Sequence, residues 1–145
     1  MNAEDTAASL AAGYEGYRQH AYQDSGGIWT VGYGTIRLGG RPVVQGDSLS
    51  PEEALRLLKE RIAQDSKAVR KAAGKASENQ VAALLSLAYN VGLQGVLTST
   101  ALRSHLAGDR CAAARGILMW DKVGAASLPG LLRRRCGEAE LYLTP

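Results

Sequence analysis

Tyr14-Glu15-Gly-Tyr-Arg-Gln-His-Ala-Tyr-Gln-Asp24-Ser-Gly-Gly-Ile-Trp-Thr30-Val-Gly-Tyr-Gly-Thr35 is the stretch from which the rest of the chain is read. It carries one carboxyl, a second nine residues on and a hydroxyl six beyond that, arranged around a short Gly-rich turn. A carboxyl at the end of a leading helix and another in the adjoining strand region can face each other across a cleft, one protonating a leaving oxygen while the other activates water. Gly26-Gly27 supplies the turn that folds the next strand back toward Asp24. Along that strand Trp29, Val31 and Tyr33 alternate with Ile28, Thr30 and Gly32, so Thr30 is presented opposite the bulky residues. The plainer reading is a solvated Glu15 at a helix end, an Asp24 that caps its own turn and an ordinary strand Thr30, because most carboxylates are surface groups.

The 145 residues suit one domain, with two small lobes sharing a long helix, and 46% hydrophobic residues suffice for a core. With no Phe and 6% aromatics, that core must be built from Leu, Val, Ile and Ala, which fits a mostly helical body. No apolar run reaches the ~18 residues of a membrane helix, and Met1-Asn-Ala-Glu-Asp-Thr lacks the basic and apolar regions of a secretory signal. No stable membrane association is expected. The net charge of +3 draws the chain modestly toward anionic surfaces without choosing between cell wall and nucleic acid.

The first helix is expected to end near Glu15, followed by a hairpin region over about 21–44. Ser50-Pro-Glu-Glu is a capping box with Pro at the first helical position, and Leu55, Leu58, Ile62 and Val69 continue one apolar face to about residue 72. This predicts one long helix linking the lobes. Ser77-Glu-Asn-Gln repeats the box before Val81, Leu84, Leu85 and Ala88, and Gly92 stops that helix. Leu102 and Leu106 form the next apolar edge, Asp109 caps a helix carrying Ile117, Leu118 and Trp120, and the final helix is expected to bury Leu132, Cys136, Ala139 and Leu143. The lobes are placed at about 14–48 and 73–145, with the linking helix at 50–72 and a helix over 1–13 packing on the larger lobe.

Cys111 and Cys136 have no metal-ligand spacing with His20 or His105; the cysteines are read as buried free thiols, with a disulfide left open for a protein that matures in the periplasm, and the histidines as surface residues of helical segments. Arg133-Arg134-Arg135 is the densest basic run, but successive helical residues spread around the axis and make no single stripe. A solvated face with Arg134 paired to Glu138 at i,i+4 is the simple reading.

Glu, eight residues, Asp, five residues, Thr, set in Glu-Gly-x-Arg-x-x-Ala-Tyr-x-Asp and Thr-x-Gly-Tyr-Gly, resembles the signature of the phage-type lysozymes. The segment from Ser77 to Gly92 is similar to that family's central helix, Ser99 to Leu106 to the helix after it, and Leu128 to Leu143 to its closing segment, so about residues 10–143 are covered in order. The resemblance implies an α+β, mostly α-helical, lysozyme-like fold with a small β-hairpin lobe and a helical lobe. It implies an endolysin that hydrolyses the β-1,4 bond between N-acetylmuramic acid and N-acetylglucosamine with inversion and causes host cell lysis. Glu15 would be the acid, Asp24 the base or electrostatic partner and Thr30 the holder of the attacking water; Tyr33, Gly34, Tyr89 and Asn90 would contact the glycan. One arginine of the terminal region would approach the acid or the wall. No cofactor and no metal are implied, and the partners are peptidoglycan and a holin, with the protein a monomer held in the host cytoplasm and acting in the periplasm.

Two departures from the family pattern carry expectations of their own. Leu10-Ala-Ala-Gly-Tyr is rich in small residues, so the first helix is expected to pack loosely, and Thr35 stands where some relatives have His, removing a charged neighbour of Glu15. A lytic transglycosylase, a silent wall-binding module and a basic nucleic-acid binder are the competing classes. Asp24 and Thr30 argue for water as acceptor, their presence together with Glu15 argues against a silent module, and the dispersed arginines argue against nucleic acid.

Overall fold

A computed structural model describes residues 2–123 and 126–145. The helical body is organised around α4 (Glu78–Val91), whose residues from Val81 to Ala88 are all buried. A helix apolar on every side needs neighbours on every side. It has them in α1 (Ala3–Tyr14), α2 (Pro51–Ala63), α3 (Ser66–Ala73), α5 (Leu93–Leu97) and α8 (Pro129–Leu143), with α6 (Thr100–Leu106) and α7 (Arg110–Leu118) packed on each other beyond. The Ser77 capping box forms as read, with Gln80 N–H donating to Ser77 Oγ and Ser77 N–H to Gln80 Oε1, and Gly92 ends the helix at φ 96°.

The first helix is not loose. Its small residues Ala3, Ala7, Ala8 and Ala11 are at most 2% exposed, because short side chains let the backbone of α1 come close to α4. The long linking helix expected over 50–72 is two helices: Gln64 and Asp65 N–H bond back three residues, to Arg61 and Ile62, and the tightened turn ends α2 before α3 begins. Leu58, Ile62 and Val69 stay buried across the break, whereas Leu55 is exposed.

The β region consists of β1 (Arg18–Gln23) paired antiparallel with β2 (Trp29–Gly32), and a short ribbon of β3 (Arg37–Leu38) with β4 (Arg41–Pro42). Thr30 pairs with Tyr22 and Trp29 with Gln23, with an irregularity between Arg18 and Tyr22. Val31, Val43, Leu49 and Ala54 form its own small core against α2. Gly32, at φ 67°, is needed there: a Cβ would lie 3.0 Å from both Ala54 Cβ and Leu49 Cδ1. Tyr33 packs against both this cluster and the main core.

Of the four residues expected inside on the final helix, only Ala139 is buried. Leu132, Cys136 and Leu143 are exposed, and Arg134, Arg135, Glu138, Ala139 and Tyr142 are buried. Two apolar-compatible stripes run along α8, and the charged one goes in because its members pair with each other. Cys111 is exposed too, so neither thiol is buried. Leu106, expected on an apolar edge, is 60% exposed while Leu102 is buried. His20 is exposed but lies on strand β1 and not on a helix, and His105, on α6, is half-buried, with Nδ1 2.6 Å from the Tyr142 hydroxyl and Nε2 3.0 Å from the Ala73 carbonyl.

Candidate active site

Glu15 is where α1 lets go. Its backbone leaves helical geometry (φ −81°, ψ 131°) while its N–H still donates to the Ala11 carbonyl, so the side chain leaves from a fixed point at the helix end. The carboxyl is 30% exposed and takes a hydrogen bond from Arg134 Nη1 at 2.8 Å. Of the three successive arginines, Arg134 is therefore the one that reaches Glu15.

Arg134 is 5% exposed and does not act alone. Its Nε donates to Glu138 Oε1 at 3.3 Å, and Arg135 Nη2 donates to the same oxygen at 2.7 Å. Arg135 Nη2 also donates to Asn90 Oδ1 at 2.9 Å, and Nη1 to the Trp120 carbonyl at 3.4 Å. Burial pushes the Glu138 carboxyl up, against the pull of Arg135 and Arg134, and burial likewise lowers the Arg135 guanidinium. The sequence reading of a solvated arginine face is thus overturned, though the Arg134–Glu138 pairing at i,i+4 is present.

Asp24 closes the β1–β2 hairpin. Oδ1 accepts the N–H groups of Gly26 (2.8 Å) and Ile28 (2.9 Å), while its own N–H donates to the Ile28 carbonyl and its carbonyl accepts from Gly27, which sits at φ 81°. An aspartate bound into its own turn in this way has a fixed carboxyl orientation. Oδ2 takes no hydrogen bond among the described residues. Thr30 is 5% exposed, and its hydroxyl donates to the Ile28 carbonyl at 3.0 Å. Its single donor is committed, so it meets any further group as an acceptor.

Tyr33 and Gly34 form the turn that follows β2, and both carbonyls are engaged within the protein. Tyr89 hydroxyl donates to Tyr33 O at 3.3 Å and Arg61 Nη1 to Gly34 O at 3.0 Å. Arg61 also lies over the Tyr89 ring, 5.0 Å from its centroid, and Arg134 lies 6.0 Å from the same ring. Tyr89 is thus enclosed by cations from α2 and α8; burial pushes its hydroxyl up, Arg61 and Arg134 oppose that, and the Glu15 charge adds to it. Asn90 is exposed, with its amide oriented by Arg135. Thr35 is buried and bridged to Val31.

The structure therefore gathers Glu15, Tyr89, Asn90, Tyr33 and Gly34 through Arg134, Arg135 and Arg61, while Asp24 and Thr30 share the hairpin that feeds into the Tyr33 turn. Depressions flank this knot: one of about 630 Å³ against Gly13, Tyr14 and Arg134, and one of about 400 Å³ against Thr35, Leu57 and Arg61. Arg61 and Glu138 were missed in the sequence reading of the site. Glu138 had a local signal, its i,i+3 and i,i+4 spacing from two arginines; Arg61 had none, because its partners come from the turn after β2 and from α4.

Comparison with known proteins agrees with this architecture. The phage lysozyme family model matches residues 12–138. The endolysin of Acyrthosiphon pisum secondary endosymbiont phage 1 is 34% identical over 147 residues, covering 98% of each chain, and the endolysin of Salmonella phage P22 is 36% identical over 132 residues, covering 90% of each. The solved endolysin from Escherichia coli O157:H7 phage FAHEc1 superposes with a TM-score of 0.87 at 35% identity, covering 95% of this chain and 90% of that one. Sequence match, full-length alignment and superposition thus agree that the chain belongs to the phage lysozyme family.

Proposed function

We propose that this protein is an endolysin that hydrolyses the β-1,4 bond between N-acetylmuramic acid and N-acetylglucosamine in bacterial peptidoglycan. The observation that supports the reading most is the anchoring of Glu15 at the end of α1 by the buried Arg134, and beside it stands a carboxylate, Asp24, locked in its own turn on the hairpin that follows. Glu15 gives its proton to the glycosidic oxygen as the C–O bond breaks, and the departing sugar leaves with a hydroxyl. Water attacks the anomeric carbon from the opposite face and Asp24 takes its proton. The Thr30 hydroxyl, its hydrogen spent on Ile28, accepts one water hydrogen and so turns the oxygen lone pair toward the sugar. This sequence inverts the anomeric centre and needs the carboxyls far enough apart to admit water, roughly 6.5–9.5 Å.

Tyr33, Gly34, Tyr89 and Asn90 are assigned to the glycan. The Asn90 amide is offered with Oδ1 held by Arg135, leaving Nδ2 for a sugar acceptor. The protein is assigned to the host cytoplasm as a monomer until a holin releases it to the wall; among the described residues no helix is long and apolar enough to cross a membrane.

The test is clearing of outer-membrane-permeabilised Gram-negative cells, with mass spectrometry of the released sugars. Reducing ends are expected, and anhydro-muramic ends would replace hydrolysis by transglycosylation. Glu15→Gln keeps the shape and cannot donate the proton, so it should fold by circular dichroism and lose nearly all activity. A folded Glu15→Gln protein that still clears cells at close to the wild-type rate overturns the assignment.

A further inference from the structure

Glu138 has no place in the chemistry just described, yet it is fully buried and its Oε1 accepts from two guanidiniums at once. Those two arginines lead to different parts of the site: Arg134 to Glu15 at the end of α1, and Arg135 to Asn90 at the end of α4. Burying three charged side chains in one knot brings no net stability compared with an apolar core of the same volume, since desolvation cancels much of the attraction. The knot is also incompletely satisfied. Glu138 Oε2, Arg134 Nη2 and Arg135 Nε are buried without a partner among the described residues. A cluster this costly is poorly explained as a stability device, and two of its three outward hydrogen bonds end at the proposed site, the third running from Arg135 Nη1 to the Trp120 carbonyl.

We propose that Glu138 is a positioning residue for the hydrolysis: by holding Arg134 and Arg135 on one oxygen it sets both the Glu15 carboxyl and the Asn90 amide. The inference rests on the reading of Glu15 as the general acid. It has a directional consequence, because Arg134 is shared between two carboxylates, Nη1 to Glu15 and Nε to Glu138. Removing the negative charge at Glu138 leaves Arg134 to Glu15 alone, which favours ionised Glu15. Removing Arg135 leaves Glu138 to Arg134 alone, which draws that guanidinium from Glu15. The titratable and charged groups facing the knot are Arg134 and Arg135 on α8, Tyr14 and Glu15 from α1, and Tyr89 from α4.

The experiment is the pH profile of kcat/KM on a soluble peptidoglycan oligosaccharide for the wild type, Glu138→Gln and Arg135→Met, with thermal unfolding beside it. A general acid must be protonated, so the alkaline limb reports Glu15. Glu138→Gln should move that limb to lower pH by about one unit and Arg135→Met should move it to higher pH, the scale of gaining or losing a neighbouring charge. Arg135→Met should also raise KM through the loosened Asn90. A purely structural role predicts lower Tm and lower amplitude with unmoved midpoints. Midpoints that stay in place, or move the same way in both variants, overturn the proposal. If only one variant folds, the sign of its shift decides. If neither folds, carboxyl-labelled wild type decides: the Glu15 resonance must respond at the Glu138 midpoint as well as its own, and a single-step titration overturns the proposal. Glu15→Gln in the same assay separates the two failures, since its inactivity alongside unmoved midpoints removes only Glu138, while its activity removes the reading of Glu15 as well.

Discussion

Thr30 is the residue whose role is decided by one hydrogen. Its hydroxyl hydrogen goes to the Ile28 carbonyl and the side chain is almost wholly buried, so Thr30→Val keeps the shape and deletes an acceptor for water. The expected loss of kcat/KM is on the order of 10²-fold, the scale of a positioned polar contact at a reacting centre. The lost hydrogen bond should lower stability by only about 1 kcal/mol. Thr30→Ser keeps the hydroxyl without the methyl that restricts its rotamer and should fall between the two. Kinetics on a defined oligosaccharide together with urea unfolding checks both parts; if Thr30→Val keeps most of the wild-type rate, Thr30 is a strand residue and Asp24 alone must hold the water. The spacing of Glu15, Asp24 and Thr30 was legible because the turn that joins the latter two is made by its own residues. What the hydroxyl donates to was not.

Between elements, an approach of backbone on backbone that a substitution can probe is α7 on α6. A Cβ at Gly116 would sit 2.6 Å from Ala101 N and 2.7 Å from Ala101 Cα, both backbone atoms that cannot swing aside. Ala in place of Gly would ordinarily gain about 1 kcal/mol of helix propensity. Overpacking costs typically 1–3 kcal/mol and more against rigid backbone, so the clash should win. Gly116→Ala is expected to destabilise by about 2 kcal/mol in chemical denaturation, with site residues in place and activity per folded molecule unchanged. A variant as stable as wild type would show that α6 and α7 can separate cheaply. At this scale the sequence pattern supplied helix starts and stops but misjudged faces: the helix expected over 50–72 breaks at Gln64–Asp65, and α8 buries its charged stripe.

Across the whole molecule, ion pairs tie distant segments and give the fold an acid limit. Arg70 on α3 donates to Glu78 at the start of α4 and to Glu4 on α1, while Glu78 Oε2 also accepts the Ala3 N–H. The Arg70 guanidinium, followed by the Ala3 amide, holds the Glu78 carboxyl down to about 2. In the β region Arg41 makes a two-pronged bond to Asp47, whose carboxyl also takes the Val44 N–H and is likewise held down to about 2. Carboxyls depressed on folding contribute stability that is present above their unfolded values near 4 and is lost as pH falls toward about 2. Stability should therefore decline between about pH 4.5 and 2. Arg70→Gln should lower Tm at neutral pH and flatten that decline, since Glu78 no longer has a charge to lose to protonation. Both pairs are partly exposed, so raised salt should weaken the effect. A Tm profile for Arg70→Gln parallel to the wild type down to pH 2 would remove Glu78 as a contributor.

The sequence by itself determined what is made within about four residues. The capping boxes at Ser50 and Ser77, the stop at Gly92, the Asp24 turn and the end of the first helix at Glu15 were all legible because each is satisfied by its own neighbours. The motif spacing also carried the family. Only the tertiary structure decided which arginine meets Glu15, that Arg61 reaches Gly34, that His105 lies between Tyr142 and Ala73, and that small residues make α1 tight. The physical reason is burial of polar groups. A charge goes inside only where partners from other segments meet it, and periodicity along one helix cannot say whether those partners exist.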